Sequence, residues 1–227
     1  METVKTIWDG LDWSYLLNIL TSVIPALICI TLHELSHGCV AYWLGDSTAK
    51  NAGRLTLNPI KHIDVVGILM MVVFKIGWAK PVPVNMYNFK NPKRGMAVTA
   101  LAGPVSNVLI AAIFLFIYGL LYPGLSAGGA VAREILEMVN VTAYLSLALA
   151  VFNIIPVPPL DGSKVLFSLM SDNNYYKLMR YEQYGMVILV ALVATGVLGR
   201  PLNSIISAAF DKMFVIAQFG YDIVSRF

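Results

Sequence analysis

The chain has 227 residues, 58% of them hydrophobic and only 13% charged, with a mean hydropathy of +0.71. Soluble domains carry about a quarter of their residues as charges, so this composition excludes one and describes a polytopic membrane protein. The net charge of +3 comes without a basic cluster interleaved with aromatics, which excludes a nucleic-acid partner.

In chain order, residues 1–12 carry more acid than base and no small-residue cleavage pattern follows, so no signal peptide is expected. A first span is predicted over residues 14–44. Its segment 15–32 has no charged side chain and is long enough to cross a bilayer. Directly after it, inside the same apolar run, stand His33-Glu34-Leu35-Ser36-His37. Ionisable groups at that depth are costly and point to a functional site. His33 and His37 lie one turn apart on one helix face, so both imidazoles reach a single divalent metal. Glu34 sits on the flank, where a carboxylate serves as a general base towards a metal-bound water. Zinc suits such a site, with a third protein ligand and one position left open. Cys29 shares that face but stands about 12 Å of helix rise from His37, too far to join one ion. With Cys39 on the opposite face, the two cysteines form no framework, and Cys29 reads as a buried inert thiol.

Residues 53–57 (Gly53-Arg54-Leu55-Thr56-Leu57) read as a short strand ended by Asn58-Pro59. The apolar stretch 63–78 is interrupted by Asp64, Lys75 and glycines, and is expected to be re-entrant or interfacial. Further spans are predicted over 96–121, 135–155 and 184–198, the last extendable over 178–186. The tail 201–219 has apolar residues at helical spacing. It is expected to lie at the interface as an amphipathic helix, with a fifth crossing as the alternative. The fold class is therefore an all-α polytopic membrane protein. It has four to five transmembrane helices and a short β or re-entrant element on the cytoplasmic side, between the first and second. Residues 1–227 form one domain, with a core over about 14–170 and accessory helices over 175–219. Lys and Arg crowd the segments after the first and third spans, which places those loops in the cytoplasm and the N-terminus outside.

Asp161 is the strongest candidate for the third ligand. Pro156, Pro158 and Pro159 cannot continue a helix, so the third span ends in an extended segment leading to Asp161-Gly162. The residues alone leave open whether Asp161 completes the metal site or only caps the following helix. Asp64 is a weaker rival, more suited to pairing with a lysine.

Three motifs in the same order resemble the site-2 protease family of intramembrane zinc metalloproteases: His33-Glu34-x-x-His37, Gly103-Pro104-Val105-Ser106-Asn107, and Asn153-x-x-Pro156-x-Pro158-Pro159-Leu160-Asp161-Gly162. The resemblance runs over about 25–170 and takes in Asn58-Pro59, His62-Ile63-Asp64 and the segment Gly77 to Asn85. It is to the compact branch lacking PDZ and CBS domains. Val65 and Met86 stand where the family pattern has prolines, which affects the loop and leaves the metal residues intact. The resemblance implies one Zn2+ held by His33, His37 and Asp161, with Glu34 as catalytic base. It implies that Asn153 and Asn107 bind the oxyanion or hold the substrate strand, although interhelical hydrogen bonding is an alternative for both. His62 is not a ligand in that pattern and is expected to stabilise its loop. The implied activity is cleavage of membrane-spanning protein substrates near the cytoplasmic side, in the cell membrane and within the lipid bilayer. The rival reading is a proteolytically silent zinc-binding scaffold or sensor, which the presence of Glu34 disfavours.

Overall fold

The computed structural model describes residues 13–74, 77–181 and 184–226. Three long helices carry the architecture: α1 (Trp13–Trp43), with α4 (Pro92–Leu125) and α5 (Ala130–Asn153) numbered after two short helices that lie between. All three pack on one another. Their contact surfaces are built from small side chains, among them Cys29, Ala111, Thr142, Ala143, Ser146 and Ala150, all buried. Such residues let helix backbones approach closely where lipid supplies no hydrophobic drive. The spans Thr21–Trp43, Pro92–Leu125 and Ala130–Asn153 are long and apolar enough to cross a membrane. Only 33%, 22% and 33% of their apolar windows are buried inside the protein. The remaining apolar faces point outward, an arrangement suited to lipid and untenable in water. The protein is an all-α polytopic membrane protein.

Helix α1 ends where Gly45 adopts a φ of +107°, with Asp46 N–H bonded to the Ala41 carbonyl and Gly45 N–H to that of Tyr42. This terminating pattern favours a residue without a Cβ. The short α2 (Thr48–Asn51) and a 3-10 turn at Pro59–His62 follow, then α3 (Val65–Phe74). Ten helical residues rise about 15 Å, too little for a crossing, which agrees with the re-entrant reading. The Asp64 carboxylate accepts the Gly67 N–H at 2.8 Å and so caps α3; among the described residues no lysine pairs with it.

Residues 53–57 do not form the expected strand. The N–H groups of Gly53, Arg54 and Thr56 bond to the nearby carbonyls of Lys50, Ala49 and Arg54, so they are spent on local turns. Among the described residues the one β-bridge is antiparallel and joins Ile63 to Ala79. The predicted span over 184–198 is also shorter than expected. Helix α8 (Gly185–Ala194), which follows α6 (Asp161–Ser168) and α7 (Asp172–Tyr181), stops before Gly196, whose φ of +69° turns the chain.

Helices α9 (Gly199–Met213) and α10 (Val215–Val224) run along the bundle. Gly199, Leu202 and Ile206 lie beside Leu145, Leu149 and Phe152 of α5. Phe210 meets Tyr144 edge-on at 5.3 Å, and Tyr221 meets Tyr122 of α4 at 6.2 Å. The tail thus follows the bundle from one end of α5 towards the opposite end of α4, instead of lying flat across one end. At its far end the backbones touch. A Cβ on Gly119 would stand 1.9 Å from the Ala217 carbonyl oxygen. Gly119→Val therefore forces α10 away from α4 and destabilises the bundle by about 1–3 kcal/mol. Thermal unfolding in detergent should show Tm lowered by several degrees; an unchanged Tm would contradict the packing described.

Candidate active site

One helix, one loop and a backing helix build the site. Helix α1 places His33 and His37 one turn apart, both buried, with ring centroids 4.6 Å apart and planes at 89°. Their Nε2 atoms stand 3.0 Å from each other. Asp161, the first residue of α6, brings Oδ2 to 3.2 Å from His33 Nε2 and 3.1 Å from His37 Nε2. Pro156, Pro158 and Pro159 stop α5 from continuing, and the chain folds back so that a Cβ on Gly162 would lie 2.1 Å from the Ile154 carbonyl. The Ser163 hydroxyl, fully buried, donates to the Leu160 carbonyl at 2.7 Å and fixes the start of α6. The Asp161 carboxylate is therefore held from behind by backbone contacts.

The donor set fits zinc. The Thr99 carbonyl can only accept, and it lies 2.7 Å from His37 Nδ1, so that nitrogen carries the proton and His37 Nε2 presents a bare lone pair. Asp161 Oδ2 is buried and has no hydrogen-bond partner among the described residues. Two such acceptor atoms at 3.1 Å repel each other unless a cation joins them. The three separations of 3.0, 3.1 and 3.2 Å match the roughly 3.3 Å expected between ligand atoms of a tetrahedral ion bonded at about 2.0–2.1 Å. His33, His37 and Asp161 also form the one cluster of at least three potential ligands among the described residues. Lys164 stands 3.9 Å from Asp161 Oδ1, the carboxylate oxygen other than the one beside the histidines.

A cavity of about 270 Å³ opens beside these atoms, lined by Glu34, Val82, Val84, Met96, Asn153 and Lys164 among others. Glu34 reaches it from the α1 flank, where its Oε2 accepts the Val82 N–H at 2.8 Å. Asn153, the last residue of α5, also lines the cavity, and its Nδ2 donates to the Leu149 carbonyl at 3.0 Å. Asn107 is placed differently: it is wholly buried behind His33, outside the cavity lining. Cys29 is fully buried, with its thiol donating to the Thr142 carbonyl at 3.5 Å. His62 is buried in the loop and bonds through Nε2 to the Thr56 carbonyl at 2.9 Å.

Sequence reasoning missed the strap that crosses the cavity. Residues 80–85 are tied by four bonds: Lys80 N–H donates to the His62 carbonyl at 3.0 Å, Lys80 O accepts Arg54 Nη2 at 2.7 Å, Val82 N–H meets Glu34, and Asn85 N–H meets Asp46 at 2.7 Å. The alternation Pro81-Val82-Pro83-Val84 was the available signal. Prolines at every second position hold a chain extended and leave donors on one edge only. Asp46 is the anchor. Burial would raise its carboxyl, but bonds from the Thr48 hydroxyl, Asn88 and the Asn85 and Thr48 N–H groups outweigh it and hold it below its ordinary 3.8. Asp46 therefore contributes stability that is complete above that value and lost as the pH falls through its lower folded value. Protection from hydrogen exchange over residues 84–88, taken relative to the intrinsic rate at each pH, should fall in acid, and Asp46→Asn should show the lower protection already at neutral pH. Equal exchange in both proteins would remove Asp46 as the anchor.

A membrane-embedded metallopeptidase is the class that this fold and donor set define, and known proteins agree. The model of peptidase family M50 matches residues 123–196, which include Asp161. "Putative zinc metalloprotease YwhC" of Bacillus subtilis is 37% identical over 192 residues, covering 84% of this chain and 88% of that protein. "Putative zinc metalloprotease Rip2" of Mycolicibacterium smegmatis is 27% identical over 189 residues, covering 82% and 71%. "Putative zinc metalloprotease MJ0611" of Methanocaldococcus jannaschii is 30% identical over 136 residues, covering 59% and 62%. No solved structure matches the chain. The chain belongs to peptidase family M50, the site-2 protease family, and is a zinc metalloprotease. Removing a ligand should strip the metal: Asp161→Ala is expected to weaken zinc binding by more than about 100-fold in a chelator competition. Wild-type affinity in that variant would exclude Asp161 from the site.

Proposed function

We propose that the protein is an intramembrane endopeptidase, a single domain that cleaves transmembrane segments of membrane-anchored proteins. The observation that carries this reading is the meeting of His33, His37 and Asp161 beside Glu34, in a cavity among helices whose outer faces are apolar. Zinc bound there supplies a water of lowered pKa and a Lewis acid for the scissile carbonyl. Glu34 takes the proton of the attacking water and returns it to the leaving amine nitrogen. Asn153 lines the same cavity, and its amide has a second N–H beyond the one given to Leu149, which can meet a developing oxyanion.

A peptide bond within a helix is shielded by its own hydrogen bonds, so the substrate must unwind before cleavage. The strap over 80–85 is the natural rail for the unwound stretch, in place of the strand expected over 53–57. Its backbone alternates so that Val82 and Val84 face the side on which Glu34 lies, while Pro81 and Pro83 carry no donor. Among the described residues the Val84 N–H has no protein acceptor, so an incoming strand can bond there. The basic loops support a site nearer the cytoplasm with the N-terminus outside, and the cell membrane is the membrane proposed.

The rival reading is a zinc-binding scaffold without activity. A general base beside the metal has no purpose in a structural site, where four protein ligands close the metal. In proteoliposomes holding a helical membrane substrate, Glu34→Gln should retain zinc and lose cleavage by more than about 100-fold. A chelator should abolish wild-type cleavage. Cleavage by the glutamine variant at the wild-type rate would remove Glu34 as the base, and no cleavage by the zinc-loaded wild type would favour the scaffold.

A further inference from the structure

Helix α4 runs alongside the two histidines in a register that the zinc site itself does not require. Thr99, Gly103 and Asn107 lie four residues apart and so share one face of α4. That face meets α1 in antiparallel order: Thr99 receives His37 Nδ1 at 2.7 Å, and Asn107 Nδ2 lies 3.2 Å from His33 Nδ1. Between them Gly103 lets α4 close on both rings, since a Cβ there would stand 2.5 Å from His33 Cε1 and from His37 Nε2. Each imidazole thus has one partner from α4 on the side opposite Asp161.

We propose that Asn107 is a positioning residue for zinc, holding His33 in the tautomer and ring orientation that ligation needs. This rests on the zinc-protease reading of His33, His37 and Asp161. Ligation through Nε2 leaves the His33 proton on Nδ1, which must then find an acceptor. The Asn107 side chain is the group in position, and its Oδ1 is a buried acceptor with no partner among the described residues. A half-turn of the amide about its last torsion exchanges its ends and brings Oδ1 to His33 Nδ1. The residue is held in place, because Asn107 is fully buried and its backbone carbonyl accepts the Ser146 hydroxyl of α5 at 2.8 Å. Asn107 also stands outside the cavity lining, where contact with a substrate oxyanion would require it to be inside. A neutral acceptor is the economical choice at this depth, since a carboxylate would add a second buried negative charge beside Asp161.

The test separates an acceptor from a donor. Purified full-length protein is stripped with chelator, and the zinc dissociation constant is measured by chelator competition for wild type, Asn107→Ala, Asn107→Asp and His33→Ala. Asn107→Ala should bind zinc about 10–100-fold more weakly. Asn107→Asp, which keeps an acceptor and has no N–H to give, should restore the affinity to within about threefold of wild type or better. Thermal unfolding of the stripped proteins identifies any variant that fails to fold. For a folded alanine variant, wild-type zinc affinity overturns the proposal. So does an aspartate variant that binds as weakly as alanine, because the amide N–H or its packing would then be what matters. If alanine does not fold, the aspartate result decides alone. Undiminished zinc binding by His33→Ala would instead defeat the metal-site reading, a different failure from either of these.

Discussion

Mutual dependence among three buried polar groups is the constraint around which this protein is arranged. His33, His37 and Asp161 sit between apolar helices, where an unpaired carboxylate or imidazole is expensive. His37 Nε2 and Asp161 Oδ2 have no proton to offer each other, so in the proposed reading a divalent cation between them is what makes the cluster stable. Folding and metal binding are then coupled. The helices must bring the ligands within about 3 Å of one another, and the metal offsets the burial that this requires.

Rigid support follows from that coupling. Asp161 comes from a segment that three prolines prevent from becoming helical, and its exit into α6 is closed against the end of α5. The histidines are backed by α4, which approaches closely enough to touch both rings because residue 103 has no side chain. Small residues between α1, α4 and α5 allow this approach along the whole bundle. A site on loops alone would lose the ligand geometry to thermal motion; here two sides are helix and the third is a proline-stiffened turn.

The strap over residues 80–85 joins this architecture to access. It crosses the cavity with Val82 bonded to Glu34, and Arg54 and Asp46 hold its ends. In the proposed reading, the contact between the Val82 N–H and the Glu34 carboxylate is one that an incoming peptide strand can replace in kind. Anchored ends with an exchangeable centre allow the strap to yield without coming loose.

Much of this was legible in the chain. Spacing alone put His33 and His37 on one face, and the long apolar runs determined three crossings, because periodicity and hydrophobic length are local properties. Family motifs pointed to Asp161, which the residues by themselves left as ligand or cap. The failures were also instructive. Residues 53–57 looked like a strand, yet strand pairing depends on a partner, and their backbone donors found local carbonyls first. Over residues 184–198 the described helix ends at Ala194, because Gly196 takes a left-handed turn that hydropathy does not register. Asn107 carried no sign of its neighbour, since a contact across 74 positions depends on how α4 settles against α1. The chain by itself determined which groups are available and on which helical face each lies. Only the tertiary packing decided which of them meet, because the distance between two helices is set by every side chain along their interface and not by any one motif.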